Sequence, residues 1–142
     1  MFVLDTNVIS ETFRKEPSPR VTAWIDAHDP ADYWVTAISQ AELLLGMLIL
    51  PEGARKRLLA ELIGGFFANA IKNEVLSFGR HEAEIFADVV AARRSLGRPI
   101  GEFDAQIAAI ARSHGFAVVT RNTNDFAECG VNIVNPWESG AQ

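Results

Sequence analysis

The chain holds a single cysteine, Cys129. It can close no internal disulfide and build no thiolate metal cluster, which points to a reducing compartment. Histidine is nearly as scarce: His28, His81 and His114 are scattered, and none falls in an H-E-x-x-H spacing. Each reads as a surface or helix-end residue, and a histidine-held zinc has no support. Positive charge is also short, with 13 Lys and Arg against 18 Asp and Glu and a net charge of −5. That balance offers nucleic acid no broad attraction, although bound divalent cations would change the local field. No apolar run reaches the roughly 18 residues that cross a bilayer. The first residues lack the basic region of a signal peptide, and Asp5 interrupts their apolar run, so the expectation is a cytoplasmic protein. There is no repeat, low-complexity tract or linker, and 142 residues suit one domain, 1–142, around one core.

What is present alternates. Met1 to Leu4 and Phe116 to Thr120 are short apolar runs of the kind buried in a parallel sheet. Tyr33 to Thr36 and Val131 to Val134 read as further strands, and Val75 to Phe78 as a short extra one. Helices are expected over Thr6 to Phe13, from Pro19 to near His28 with Ser18 as N-cap, and over Ile38 to Leu50. Another runs from Glu52 to about Ile71, weakened by Gly64-Gly65. The strongest is His81 to Leu96, with Ile85, Phe86, Val89 and Val90 on one face. A last helix resumes near Gly101 and ends at Gly115 as a C-cap. Strands alternating with helices define an α/β fold with a mostly parallel sheet flanked by helices. The basic groups Arg55-Lys56-Arg57 and Arg93-Arg94 read as solvated helix faces.

Carboxylates inside apolar segments cost free energy unless paired, protonated or bound to a cation. Asp5 closes the first strand, where ligands gather in an open parallel sheet, although a helix N-cap would also explain it. Glu42 could complete a capping box with Ser39, but its helical neighbours Ile38, Ser39, Leu45 and Gly46 include no base. Asp104 has only Ile100, Gly101, Ile107 and Ala108 three and four positions away, so no helical ion pair is open to it. Asn122 and Asp125 follow the strand ending at Thr120, and Arg121 could partner Asp125. Oxygen-only ligands suit Mg²⁺ or Mn²⁺, and carboxylates around such an ion imply metal-assisted displacement at phosphorus.

Four stretches carry a resemblance. They are Val3-Leu4-Asp5-Thr6-Asn7-Val8-Ile9-Ser10-Glu11, Ser39-Gln40-Ala41-Glu42-Leu43, Asp104 with Gln106-Ile107-Ala108-Ala109, and Thr120-Arg121-Asn122-Thr123-Asn124-Asp125-Phe126. Together they resemble PIN domains, and more narrowly the VapC/FitB-like toxins of bacterial type II toxin–antitoxin systems. The ending Asn135-Pro136-Trp137 fits the same subgroup. The resemblance implies a Mg²⁺- or Mn²⁺-dependent endoribonuclease, held in check by a cognate antitoxin protein and usually dimeric. It maps the acids to Asp5, Glu42 and Asp104 as metal ligands, and Thr6 to positioning the metal or its water. The fourth position departs from the pattern: Asn122 stands where many relatives carry Asp, and Asp125 is the alternative acid. Helix Ala41 to Leu50 and the segment Gly64-Gly65-Phe66-Phe67 could supply a dimer or antitoxin surface, or simply pack the core.

Two other readings compete. A catalytically inactive PIN-like protein-binding module would explain Asn122, but it leaves three costly acids without a return. A haloacid-dehalogenase-like phosphatase wants a second Asp two residues after the first, where Asn7 stands, and a late lysine, whereas Lys15, Lys56 and Lys72 all precede Asp104. The RNA target is not encoded in these motifs, because shape and flanking contacts decide it.

Overall fold

The computed structural model describes residues 1–141. Strand β1 (Phe2–Leu4) pairs in parallel with β2 (Tyr33–Trp34) on one edge and with β3 (Ala117–Val119) on the other. Strand β3 pairs in parallel with β4 (Ile133–Val134), which gives the order β2-β1-β3-β4. The α/β expectation therefore holds, with all four strands parallel.

Successive strand residues point to opposite faces, and the core divides accordingly. Val3 and Val118 face one way, onto Val89 of α5 (Arg80–Ser95), Ile107 and Ile110 of α6 (Glu102–His114) and Phe126 of α7 (Thr123–Phe126). Leu4 and Val119 face the other way. They meet Val8 and Ile9 of α1 (Thr6–Thr12), Val21 and Trp24 of α2 (Pro19–Asp26), Leu43 of α3 (Ala37–Leu48) and Ile63 of α4 (Ala54–Gly65). Helix α6 is the most deeply buried because its small residues Ala105, Ala108, Ala109 and Ala111 let it lie close to its neighbours. Gly115 stops it in the left-handed conformation at φ 69°, as expected of a C-cap.

Several expectations are corrected. Val75 to Phe78 is no strand: only Leu76 reaches the sheet, through a single bridge to Thr36. Strand β2 offers no longer partner, because Thr36 already caps α3. The helix expected to reach Ile71 ends at Gly65, and Phe66–Ala70 continues as a wider π turn. Phe66 and Phe67 are half-buried and pack against the second core cluster. Ser18 makes no side-chain cap, and its amide instead donates to Glu11 Oε1 at 3.0 Å. Arg93 is not a solvated residue but is 4% exposed. By contrast, α3 leaves Leu44, Leu45 and Leu48 exposed, and its C-cap Ile49 is exposed as well.

The order β2-β1-β3 places the chain's reversal at β1. In an open parallel sheet the crevice for a ligand opens there, beyond the carboxyl ends of the strands. Asp5 and Thr120 are the residues that leave β1 and β3 at that end.

Candidate active site

Asp5 sits in the switch-point crevice, 4% exposed. It caps α1, its Oδ1 accepting from the Thr6 amide at 2.8 Å. Its other oxygen, Oδ2, accepts from the Thr120 hydroxyl at 2.8 Å. Burial nevertheless holds its pKa above the usual carboxylate value, outweighing both hydrogen bonds, and the charge of Asp125 adds to the rise. The N-cap reading of Asp5 therefore holds through Oδ1, while Oδ2 is held by Thr120 at the cleft.

Glu42 projects from α3 into the same crevice. The capping box is not formed: Thr36 caps the helix, its hydroxyl accepting from the Ser39 amide at 3.1 Å. That leaves Glu42 free to face α1, where its Oε1 accepts from the Thr6 hydroxyl at 3.0 Å. Thr6 Oγ1 lies equally 3.0 Å from Ser39 Oγ, and with one proton it donates to only one of the two at a time. Burial raises the Glu42 pKa, the Thr6 bond opposes this, and the Asp5 charge raises it further.

Asp104 enters from the first turn of α6, half-buried. It has no side-chain hydrogen bond or ion pair among the described residues. Burial pushes its pKa up to about 6, helped by the charges of Asp5, Asp125 and Glu42, while the nearby Arg93 guanidinium opposes. Burial is the main cause of all three upward shifts, and the charges of neighbouring acids add to each.

The cleft holds about 510 Å³ and is lined by Asp5, Thr6, Glu42, Asp104 and Asn122, with Arg14, Arg121 and Trp137 also on its wall. Asn122 is exposed, and its backbone amide donates to Thr120 Oγ1 at 2.9 Å. Asp125 is exposed on α7 and outside the lining, reaching the site through its charge. Its expected partner is elsewhere: the Arg121 guanidinium lies 5.2 Å above the Trp137 ring, and no ion pair joins Arg121 to Asp125 among the described residues.

Three residues escaped sequence reasoning. Thr120, fully buried, joins the site's halves: it donates to Asp5, and its oxygen accepts from Asn7 Nδ2 at 3.3 Å and from the Asn122 amide. Its signal was a polar residue closing an apolar strand. Arg93 donates to the carbonyls of Arg98 at 2.6 Å, Asp125 at 3.0 Å and Ala127 at 2.8 Å. It thereby ties the approach to α6 to the segment that carries Asp125. Glu11, 6% exposed, holds Arg14 and the Ser18 amide at the cleft wall.

The donor chemistry suits a hard divalent cation: oxygen ligands only, three acids facing one cleft, and no base pairing with any of them. No three His, Cys, Asp or Glu among the described residues converge into a ready ligand set.

The PIN domain model matches residues 2–131. The chain belongs to the PIN domain family. It is 41% identical to the VapC ribonuclease Y4jK of Sinorhizobium fredii, over 97% of this chain and 99% of that protein. It is 37% identical to the toxin FitB of Neisseria gonorrhoeae, over 96% of this chain and 99% of that one. The crystal structure of FitAcB from Neisseria gonorrhoeae superposes with a TM-score of 0.89 at 37% identity, covering 97% of this chain and 99% of that one.

Proposed function

We propose that this protein is the toxin of a toxin–antitoxin pair, acting as a Mg²⁺- or Mn²⁺-dependent endoribonuclease. The observation that carries this is the cleft itself: Asp5 at the end of β1, Glu42 of α3 and Asp104 of α6 line it together, and none of the three forms an ion pair among the described residues. The nature of the relatives agrees, one named a ribonuclease and another a toxin.

Asp5 and Asp104 would hold the ion, with Glu42 as a third acid or acting through water. Bound there, a divalent cation supplies Lewis acidity toward the phosphodiester and lowers the pKa of a water. The chain's residues do the rest. Thr120 and the Thr6 amide fix the Asp5 carboxylate, so its orientation is set before any ligand arrives. Thr6 fixes Glu42, whose raised pKa suits it to take a proton from a water in the cleft. Asn122 offers hydrogen bonding but no charge, which favours one strong metal site over two. The exposed leucines of α3 are the surface for a second copy or for the antitoxin, whose tail would cross the cleft and place a basic side chain among the acids.

Growth on expression without a partner tests the biological role. The wild-type chain arrests bacterial growth, and Asp5→Asn, which keeps the helix cap, is harmless while still binding the antitoxin. Equal arrest by both proteins contradicts the reading, since toxicity would then come from binding or aggregation.

A further inference from the structure

We propose that the rim of the cleft is a clamp for single-stranded RNA. Arg14 and Arg121 take the phosphates on either side of the scissile one, and the Trp137 ring takes a nucleobase. The proposal rests on the ribonuclease reading above and assigns substrate contacts to its site.

The argument starts from where the two cations are not. A floor of Asp5, Glu42 and Asp104 should draw neighbouring arginines into ion pairs, yet Arg14 and Arg121 line the same cleft without pairing with any of the three. Arg14 is held back by Glu11: one nitrogen, Nη1, sits 3.3 Å from both carboxylate oxygens, a long, shared contact worth little by itself. The Arg14 side chain is 65% exposed and the Glu11 side chain 7% exposed, so a buried acid steers an outward guanidinium whose other nitrogens stay open.

Arg121 is held by a ring. Its guanidinium stacks over Trp137, and a stacked guanidinium keeps its in-plane N–H groups for phosphate. Trp137 is itself tied down: its amide donates to Asn135 Oδ1 at 3.0 Å, and its carbonyl accepts from Arg20 Nη1 at 3.1 Å. Trp137 packs against the second core cluster under the Arg121 guanidinium and still lines the cleft half-buried, so its exposed part offers a base a fixed aromatic surface while charge holds the backbone. The acidic floor repels RNA everywhere except where a cation intervenes, so attraction must come from the rim. Two cations that line the cleft beside an acidic floor suit a backbone whose scissile phosphate lies over the acids and whose neighbouring phosphates meet the arginines.

Binding of a fluorescent single-stranded RNA of mixed sequence tests this, in the full-length Asp5→Asn chain with EDTA and across a salt series. Arg14→Gln and Arg121→Gln should each weaken binding about tenfold and lower the slope of log affinity against log salt by about 0.7, the loss of one phosphate contact. Trp137→Leu should weaken binding by a similar factor with the slope unchanged, and Trp137→Phe should restore most of it. If both arginine variants match the Asp5→Asn parent in affinity and slope, the clamp is overturned and the ribonuclease reading stands on cleavage. If those variants instead lose only a protein partner, the rim belongs to that partner and the clamp is again overturned. A parent that binds no RNA at any salt overturns both.

Discussion

Thr120 donates its hydroxyl proton to Asp5 Oδ2 at 2.8 Å, across 115 positions of sequence. This bond joins the ends of β1 and β3 where the crevice opens, and it fixes the least exposed carboxylate of the cleft. Thr120→Val keeps the shape and removes the proton, leaving the Asp5 oxygen, the Asn7 amide and the Asn122 amide short of a partner. The variant should lose about 1–3 kcal/mol of stability, read from its denaturant midpoint at neutral pH. A midpoint unchanged from wild type would mean that water replaces the hydroxyl.

Stability should fall as pH rises in the metal-free chain. Burial and neighbouring acids push the Asp104 pKa up to about 6 in the folded chain, against an ordinary aspartate value of 3.8, and Asp5 and Glu42 are shifted the same way. The folded state therefore holds more protons between these values than the unfolded state. Its advantage is present at low pH and is lost as pH climbs through about 6, with no further change from Asp104 above that. Melting temperature against pH in EDTA checks the sign, and Asp104→Asn should flatten much of the slope.

Metal should reverse that loss. Added Mg²⁺ or Mn²⁺ binds the folded state and relieves the same repulsion, so the melting temperature at neutral pH should climb with metal concentration. Sodium at equal ionic strength should not reproduce the rise, and Asp104→Asn should lose most of it. A melting temperature indifferent to millimolar metal contradicts the acidic site.

Arg93→Met should be among the most damaging single changes outside the cleft. It strips donors from the carbonyls of Arg98, Asp125 and Ala127, which are gathered around one buried guanidinium. A cost of about 2–4 kcal/mol follows from the unpaired carbonyls and the lost charge-assisted bonds. Arg94→Met, next in sequence and exposed, should cost almost nothing. Chemical denaturation of the two variants side by side separates a solvated basic face from a buried anchor.

Much of this molecule was legible in its residues, and the illegible part has a common cause. Apolar triplets ending in Asp5 and Thr120, and helices with apolar stripes, announce the parallel sheet because burial and period are local properties. Asp104 stood out because no base lay within helical reach. Arg93 was misread because its partners are backbone carbonyls at positions 98, 125 and 127, which carry no side-chain signature. Glu42 matched a capping box that Thr36 takes over, a contest decided by where the chain leaves β2. Asp125 and Arg121 satisfied helical spacing, but α7 starts at Thr123, so Arg121 lies outside the helix and turns to Trp137.

Cleavage of RNA by the purified chain tests the central claim most directly. Asp104→Asn preserves size and fold while removing one acid from the cleft, and its melting temperature certifies that it is folded. The wild-type chain should cleave RNA only with Mg²⁺ or Mn²⁺ present, and folded Asp104→Asn should be slower by at least ~10²-fold, the scale of losing a key electrostatic group. RNA cleavage that is equal in the two proteins, or that persists undiminished in EDTA, would contradict the account.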